Sequence, residues 1–320
     1  MLFGFINLES LQQSQLYGKH VPPSIKMSAN YSGVFVAMVT PFTEKGELDE
    51  TSLSELLTFL ISRKVDGIYA GGTTGEGLLM TVGQRKRLTE ICHDRCSGKV
   101  TLIVHVGDNS VENVRELASH AEDTGVDAIA AVPGSYYKPD EAAVKHYYSM
   151  VSSLTNLPLF IYHIPPMTGV QIKPETVVEM MEEHSGILGI KDSSGDFRNL
   201  IQLLNGRPKG KIILCGSDDF FLPGLVLGMD GCISGYSNPF PESYVHLHKL
   251  FKSGEMNKAL TIQYRISEMR RMLTSPPIQP IKEALKIRGI NAGFVKPPLR
   301  KMTEKEIQKL KRELRTKGAA

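Results

Sequence analysis

Lys191 closes the apolar run Gly186-Ile187-Leu188-Gly189-Ile190, which makes it the most informative single position in the chain. Such a run leaves an ammonium few routes to bulk water, and lysine is seldom buried without a partner or a task. Burial favours the neutral amine, and a neutral amine attacks ketones to form a Schiff base. The alternative is a lysine that snorkels to the surface or pairs with Asp192 or Asp196. Tyr162 ends the preceding apolar run, Leu157–Tyr162. Neighbouring strands lie ~4.8 Å apart, so two adjacent strands would bring the phenol beside the amine. A phenol there can shuttle a proton while an imine forms and a carbon–carbon bond breaks. A packed aromatic with a satisfied hydroxyl is the plainer reading.

A second group of residues suits an anion. The string Gly71-Gly72-Thr73-Thr74-Gly75-Glu76 joins glycines, which allow close backbone approach, to two threonines that offer hydroxyls and N–H donors to a carboxylate. It also suits a plain tight turn with Glu76 in the first turn of a helix. It is not a phosphate-binding loop, because no Gly-Lys-Thr or Gly-Lys-Ser follows. Asp218 and Asp219 follow Gly216-Ser217, and carboxylates there can answer a helix dipole or accept hydrogen bonds from sugar hydroxyls. The histidines show no ligand spacing. Cys92, Cys96, Cys215 and Cys232 form neither a C-x-x-C pair nor two ligand pairs. Buried thiols are expected, with no metal and no other cofactor.

These side chains need a scaffold that gathers them. From residue 34 one theme repeats: a short apolar run, a polar or Gly-rich turn, then an amphipathic stretch. The runs are Val34–Thr40, Gly67–Ala70, Val100–Val106, Ala128–Val132, Leu157–Tyr162, Ile187–Ile190, Lys211–Cys215 and Gly231–Ser234. Continuous Val- and Ile-rich runs read as parallel strands buried on both faces. The stretches between them carry apolar residues at helical spacing, as in Leu53, Leu56, Leu57 and Leu60. Asp49 or Thr51, Ser110 and the Lys173–Pro174 entry look like helix starts. Alternating units of this kind predict an α/β fold, a (β/α)8 barrel with a C-terminal helical appendage. An open doubly wound sheet usually shows a Gly-rich dinucleotide fingerprint after the first strand, whereas this strand ends in Thr-Pro-Phe.

The expected organisation is a poorly ordered extension over 1–32, a catalytic barrel over 33–254 and a helical region over 255–320 packed on it. The last region has helical stretches near 255–273, 277–289 and 303–316, with joints at Pro276–Pro277 and Pro297–Pro298. In such a barrel the reactive groups sit at the C-terminal strand ends, where Thr73, Tyr162, Lys191, Ser217 and Gly235 all fall. The chain has 320 residues, 41% of them hydrophobic, enough for a large core. The 37 basic and 34 acidic side chains leave a net charge of +3 with no basic block before the last turns. That balance argues against nucleic-acid or membrane-surface partners. No apolar run reaches the ~18 residues of a transmembrane helix. The opening MLFGFI precedes the first Lys at position 19, which is not a secretory or transit pattern, so a cytoplasmic location is expected.

Taken in order, Gly71–Glu76, Tyr162-His163-Ile164-Pro165, Gly189–Asp196 and Gly216–Asp219 resemble the dihydrodipicolinate synthase/N-acetylneuraminate lyase family. Val39–Phe42 and Lys296–Leu299 fit as well, so the resemblance runs from about residue 33 to the C-terminus. It implies a (β/α)8 class I aldolase that uses pyruvate and an aldehyde, needs no cofactor and assembles as a homotetramer. By the same resemblance Lys191 matches the Schiff-base lysine and Tyr162 the proton-shuttling tyrosine. Thr73 and Thr74 match the pair that binds the pyruvate carboxylate and relays protons. Tyr136 matches a tyrosine contributed across a subunit interface, with Tyr137 as the alternative because Gly-Ser-Tyr-Tyr-Lys-Pro aligns only with a gap.

Departures from the family pattern separate its branches. The synthases carry an arginine two residues after the proline of the tyrosine motif, and here that position is Met167. The lyases have an apolar residue there and then Gly-Val, as in Met167-Thr168-Gly169-Val170, but carry a sugar-binding serine that aligns with Gly235. Thr168-Gly169, Gly216-Ser217-Asp218 and Ser237-Asn238 look closest to 2-keto-3-deoxy-sugar-acid aldolases. The resemblance therefore ranks a 2-keto-3-deoxygluconate-type aldolase first, an N-acetylneuraminate lyase second and a dihydrodipicolinate synthase third. It places substrate contacts at Thr73, Thr74, Met167, Thr168, Gly216, Ser217, Asp218 and Gly235. A catalytically silent small-molecule-binding barrel is the reading from another class, and the presence of both Lys191 and Tyr162 argues against it.

Overall fold

The computed structural model describes residues 29–317. Its strands are β1 (Gly33–Ala37), β2 (Gly67–Ala70), β3 (Thr101–His105), β4 (Ala128–Ala131), β5 (Leu159–His163), β6 (Ile187–Asp192), β7 (Ile212–Cys215) and β8 (Gly231–Ser234). Each pairs in parallel with the next, and β8 pairs with β1, so the sheet closes into the expected barrel. Two C-terminal ends differ from the apolar runs by more than one residue. β1 stops at Ala37 because Asn238 Oδ1 takes the Val39 N–H, drawing the chain out of the ladder. β6 runs on through Lys191 and Asp192, since both still pair with β7.

Helices Glu50–Ser62, Val82–Cys96, Val111–Thr124, Glu141–Ser153, Pro174–Glu183, Phe197–Gly206, Phe221–Val226 and Pro241–Lys252 follow the strands in turn. Asp49 rather than Thr51 caps the first, accepting the Ser52 N–H. Ser110 caps the third, and Pro174 stands in the first turn of the fifth. Helices Met256–Met272, Gln279–Ile287 and Glu304–Thr316 complete the C-terminal region. The four cysteines are buried free thiols. No helix among the described residues is long and apolar enough to cross a membrane.

The side chains divide into an outer core between strands and helices and an inner core that fills the barrel. Phe35, Tyr69, Ile103, Phe160, Tyr162 and Leu214 belong to the inner one. Most of the expected N-terminal extension, residues 1–28, lies outside the described residues. Its last residues already pack: Tyr31 is buried, donates its hydroxyl to Asp127 O at 2.7 Å and stacks 5.5 Å from Phe160. Tyr31 thus packs with the inner core just ahead of β1.

Candidate active site

The pairing of β5 with β6 sets Tyr162 opposite Lys191 and His163 opposite Asp192. A bulge decides which way these side chains face. Leu159 pairs with Ile187 but Phe160 pairs with Gly189, so β6 carries one extra residue. Ile187 and Ile190 both join the outer core, while Leu188 joins the inner one. The extra residue resets the alternation and turns Lys191 into the barrel; strict alternation from Ile187 would have turned it out. Gly189 is needed there, because a Cβ would lie 2.1 Å from Ile212 O.

Lys191 is 3% exposed, and its Nζ lies 4.1 Å from the ring centroids of both Tyr69 and Tyr162. Burial pulls its pKa down to about 7, against the opposing pull of the Asp218 charge. At neutral pH much of it is therefore free amine. Neither neighbouring carboxylate is available to it. Asp192 faces outward, bonded to His163 Nδ1 at 3.0 Å and to Ser194. Asp196 caps the helix Phe197–Gly206. His163 Nε2 accepts the Ile172 N–H, so Nδ1 carries the proton given to Asp192. This pair bolts β5 to β6 directly behind Tyr162 and Lys191.

The hydroxyls of Tyr162 and Thr73 share a hydrogen bond at 3.1 Å. Burial pushes the phenol up to about 12, opposed by the hydroxyls of Thr73 and Ser193. Tyr69 and His105 meet the Tyr162 ring edge-on, at 5.7 and 5.8 Å. His105 is held well below its usual pKa by burial and by the charges of Arg85 and Lys191, and so is neutral. Phenol, threonine hydroxyl and free amine thus line one enclosed space, a set able to form an imine and move protons around it.

The turn 71–76 is folded too tightly for larger residues. A Cβ on Gly72 would sit 2.3 Å from the Tyr69 ring, and one on Gly77 would sit 1.7 Å from Gly71 O. Glu76 does not enter a helical turn; it is left-handed, with φ 60°, and its carboxylate is buried. Two other glycines fit around site side chains. The Ser193 hydroxyl occupies the place of a Gly216 side chain, and Thr74 Oγ1 lies 2.4 Å from a Cβ on Gly235.

The other expected contacts stand in surroundings of their own. Asp218 is buried, its Oδ1 accepting from Ser234 and from the Tyr244 hydroxyl. Asp219 pairs with Arg270 at the surface. Thr168 is buried, its hydroxyl taking the Val170 N–H, and Ser217 uses its N–H on Cys215 Sγ. Asn238 ties β1 to the turn after β8. Met167 is 64% exposed, and Tyr136 and Tyr137 are each 84% exposed, packed on one another away from Tyr162. Sequence reasoning missed Tyr69 and Ser193. A tyrosine in the otherwise aliphatic strand Gly-Ile-Tyr-Ala was the signal for the first; only the fold reveals the second.

The profile of the dihydrodipicolinate synthetase family matches residues 30–317. The chain belongs to this family. Like the other members of the dihydrodipicolinate synthetase family, it is a pyruvate-dependent, Schiff-base-forming lyase. It is 34% identical over 296 residues to the 4-hydroxy-tetrahydrodipicolinate synthase of Methanopyrus kandleri, covering 91% of this chain and 98% of that relative. It is 33% identical over 278 residues to the N-acetylneuraminate lyase of Fusobacterium nucleatum, covering 86% and 95%. The fold matches YagE from E. coli K12, a prophage protein of the dihydrodipicolinic acid synthase family in complex with pyruvate. That match has a TM-score of 0.88 and 28% identity, with 91% of this chain and 100% of that chain covered. CdNal from Clostridium difficile, in complex with mannosamine, matches with a TM-score of 0.86 at 31% identity over 90% and 99% of the two chains.

Proposed function

We propose that the protein cleaves a 2-keto-3-deoxy sugar acid reversibly to pyruvate and an aldehyde, with Lys191 as the imine-forming residue. The observation that carries this is the in-register pair of Lys191 and Tyr162, closed by the Tyr162–Thr73 hydrogen bond. The Lys191 amine attacks C2 of the keto acid, and the carbonyl oxygen leaves as water carrying one proton from the amine and one from the Tyr162 phenol, which becomes a phenolate. The protonated imine draws electrons toward itself. Tyr162, relayed by Thr73, takes the proton from the C4 hydroxyl; the C3–C4 bond breaks, the aldehyde departs and an enamine remains. Proton return to C3 and hydrolysis of the imine release pyruvate and restore the amine. Thr73 and Thr74 hold the carboxylate at the mouth of the turn. Tyr136 reaches the site of a neighbouring copy in a homotetramer, a role that its exposure supports.

Overall identity does not choose among branches, since a synthase and a lyase match almost equally. The choice rests on two positions. Met167 offers no charge-assisted contact to a second carboxylate. A serine at Gly235 would run into Thr74. One observation favours the synthase as a second reading: the Lys138 side chain lies along Gly169, its Cε 3.3 Å from where a Cβ would be, two residues along the chain from Met167. The test measures pyruvate released from a panel of 2-keto-3-deoxy acids, against condensation of pyruvate with aspartate semialdehyde. Borohydride with pyruvate should add a reduced adduct at Lys191. Faster condensation than any cleavage would install the synthase reading, and no adduct on folded protein would remove the imine mechanism.

A further inference from the structure

The turn that carries Thr73 and Thr74 ends on a charge buried beneath it. Glu76 pairs with Lys282 at 2.6 Å, and both side chains are wholly enclosed. Its other oxygen accepts the Lys296 N–H at 2.6 Å. Lys282 Nζ also donates to Thr40 O at 2.7 Å and to Phe294 O. Thr40 in turn gives its hydroxyl to Gly75 O, inside the turn itself, at 2.7 Å. Phe294 N–H bonds Phe42 O, and Lys296 Nζ reaches Gly46 O and Gln84 Oε1. The loops after β1 and β2 are thus strapped from below by helix Gln279–Ile287 and by residues 293–296.

Glu76 holds this place at a cost. Its left-handed φ of 60° is uncommon for a side chain of its size and is strained. Enclosing two charges costs several kcal/mol each before their attraction is counted, and an apolar pair of the same volume would often serve stability as well. Burial accordingly raises the Glu76 pKa and lowers that of Lys282 to about 8, each countered by the other's charge. What a charge pair with fixed donors adds over an apolar contact is a defined position.

We propose that Glu76 and Lys282 are positioning residues, through which the C-terminal region fixes the Thr73–Thr74 turn for the substrate carboxylate. This rests on the reading that those threonines bind that carboxylate. The doubly substituted Glu76→Gln/Lys282→Met protein removes both charges at once and leaves neither stranded. Its KM for pyruvate in borohydride trapping should rise by about tenfold or more, while trapping at saturating pyruvate still labels Lys191 completely at a rate within about threefold of the parent. A purely structural role predicts the reverse, a smaller labelled fraction with KM unchanged, and that result would overturn the proposal. If the double variant does not fold, Glu76→Asp is read in the same way, since it keeps the charge and shortens the reach to Lys296. Failure of the parent protein to label at any pyruvate concentration would instead strike the imine mechanism, which separates the two failures.

Discussion

Two lysines are buried among the described residues, and their surroundings differ in the one respect that matters for chemistry. Lys282 lies among oxygens: Thr40 O and Phe294 O receive its protons, and the Glu76 carboxylate stands 2.6 Å from its Nζ as an ion pair. Lys191 lies among rings, with Tyr69 and Tyr162 each 4.1 Å away, and its nearest sequence carboxylates are turned outward to His163 and to a helix end. Burial lowers the pKa of both, to about 7 for Lys191 and about 8 for Lys282. Similar shifts therefore belong to unlike roles. The Lys282 ammonium has two carbonyl acceptors and a carboxylate counter-charge, so its proton is held and no lone pair is released for attack. Lys191 makes no ion pair, and the counter-charge that acts on it is that of Asp218. Desolvation makes an amine available; the absence of acceptors leaves it free to attack.

The largest test of this contrast replaces each lysine by methionine. Lys191→Met should abolish turnover and borohydride trapping, and Lys191→Arg should do the same, because a guanidinium stays protonated. Yet Lys191→Met should also stabilise the fold. Its folded pKa lies below its unfolded one, so the folded state resists a proton that the unfolded state accepts. That penalty is full below about pH 7 and fades as pH rises toward the unfolded value, amounting to a few kcal/mol at acid pH. Lys282→Met should instead destabilise, by roughly 3–5 kcal/mol, because it strands the Glu76 carboxylate. Chemical denaturation at pH 6 checks both signs. Equal destabilisation of the two variants would erase the distinction.

Tyr162→Phe comes next. It removes one hydroxyl from a packed ring, so the fold should survive while kcat falls by ~10²–10⁴. Thr73→Val should lose less, because the phenol keeps the Ser193 hydroxyl nearby. A near-normal kcat in the phenylalanine variant would show that the proton moves by another route.

Lys191 and Tyr162 were legible in the sequence because each closes a run of aliphatic residues, and strand ends are where barrels keep their chemistry. The strands were legible for the same reason: Val- and Ile-rich runs declare a sheet buried on both faces. The facing of Lys191 was not, since it depends on a bulge at Leu188 that no local pattern announces. Asp218 shows the limit of reading motifs by residue type. Its type and place after a strand were legible, but not that Ser234 and Tyr244 come from elsewhere in the chain to bond one of its oxygens. The clamp was hidden more deeply still. Glu76 and Lys296 stand 220 positions apart, and only the closure of the barrel under the C-terminal helices brings them together.

A smaller effect separates the two lysines by pH. If the Lys191 amine is the attacking group, kcat/KM for pyruvate trapping should rise with pH through about 7 and level off above it. Below that point it should fall about tenfold per unit. Glu76→Gln, which takes the counter-charge from Lys282 alone, should raise KM and leave this inflection in place. Movement of the inflection by a full unit would mean that the two sites titrate together.

The smallest expected change concerns the second substrate. Met167 sits half out of the protein on the single turn Pro165–Thr168, just past the strand that carries Tyr162. Its exposure limits what a charge there can do, because solvent screens it. An arginine at 167 should therefore improve condensation of aspartate semialdehyde by only about threefold to tenfold, through a partly solvated contact to the carboxylate. Cleavage of a neutral sugar acid should change less. Lys138, lying against Gly169, sets the size of this effect: if it already supplies the cation, Lys138→Met should lower semialdehyde condensation while Met167→Arg adds little. The ratio of the two kcat/KM values, measured in the parent, the two single variants and the double variant, resolves the case. Additive changes mean two independent contacts to one carboxylate, and saturation after the first means a single site already filled by Lys138.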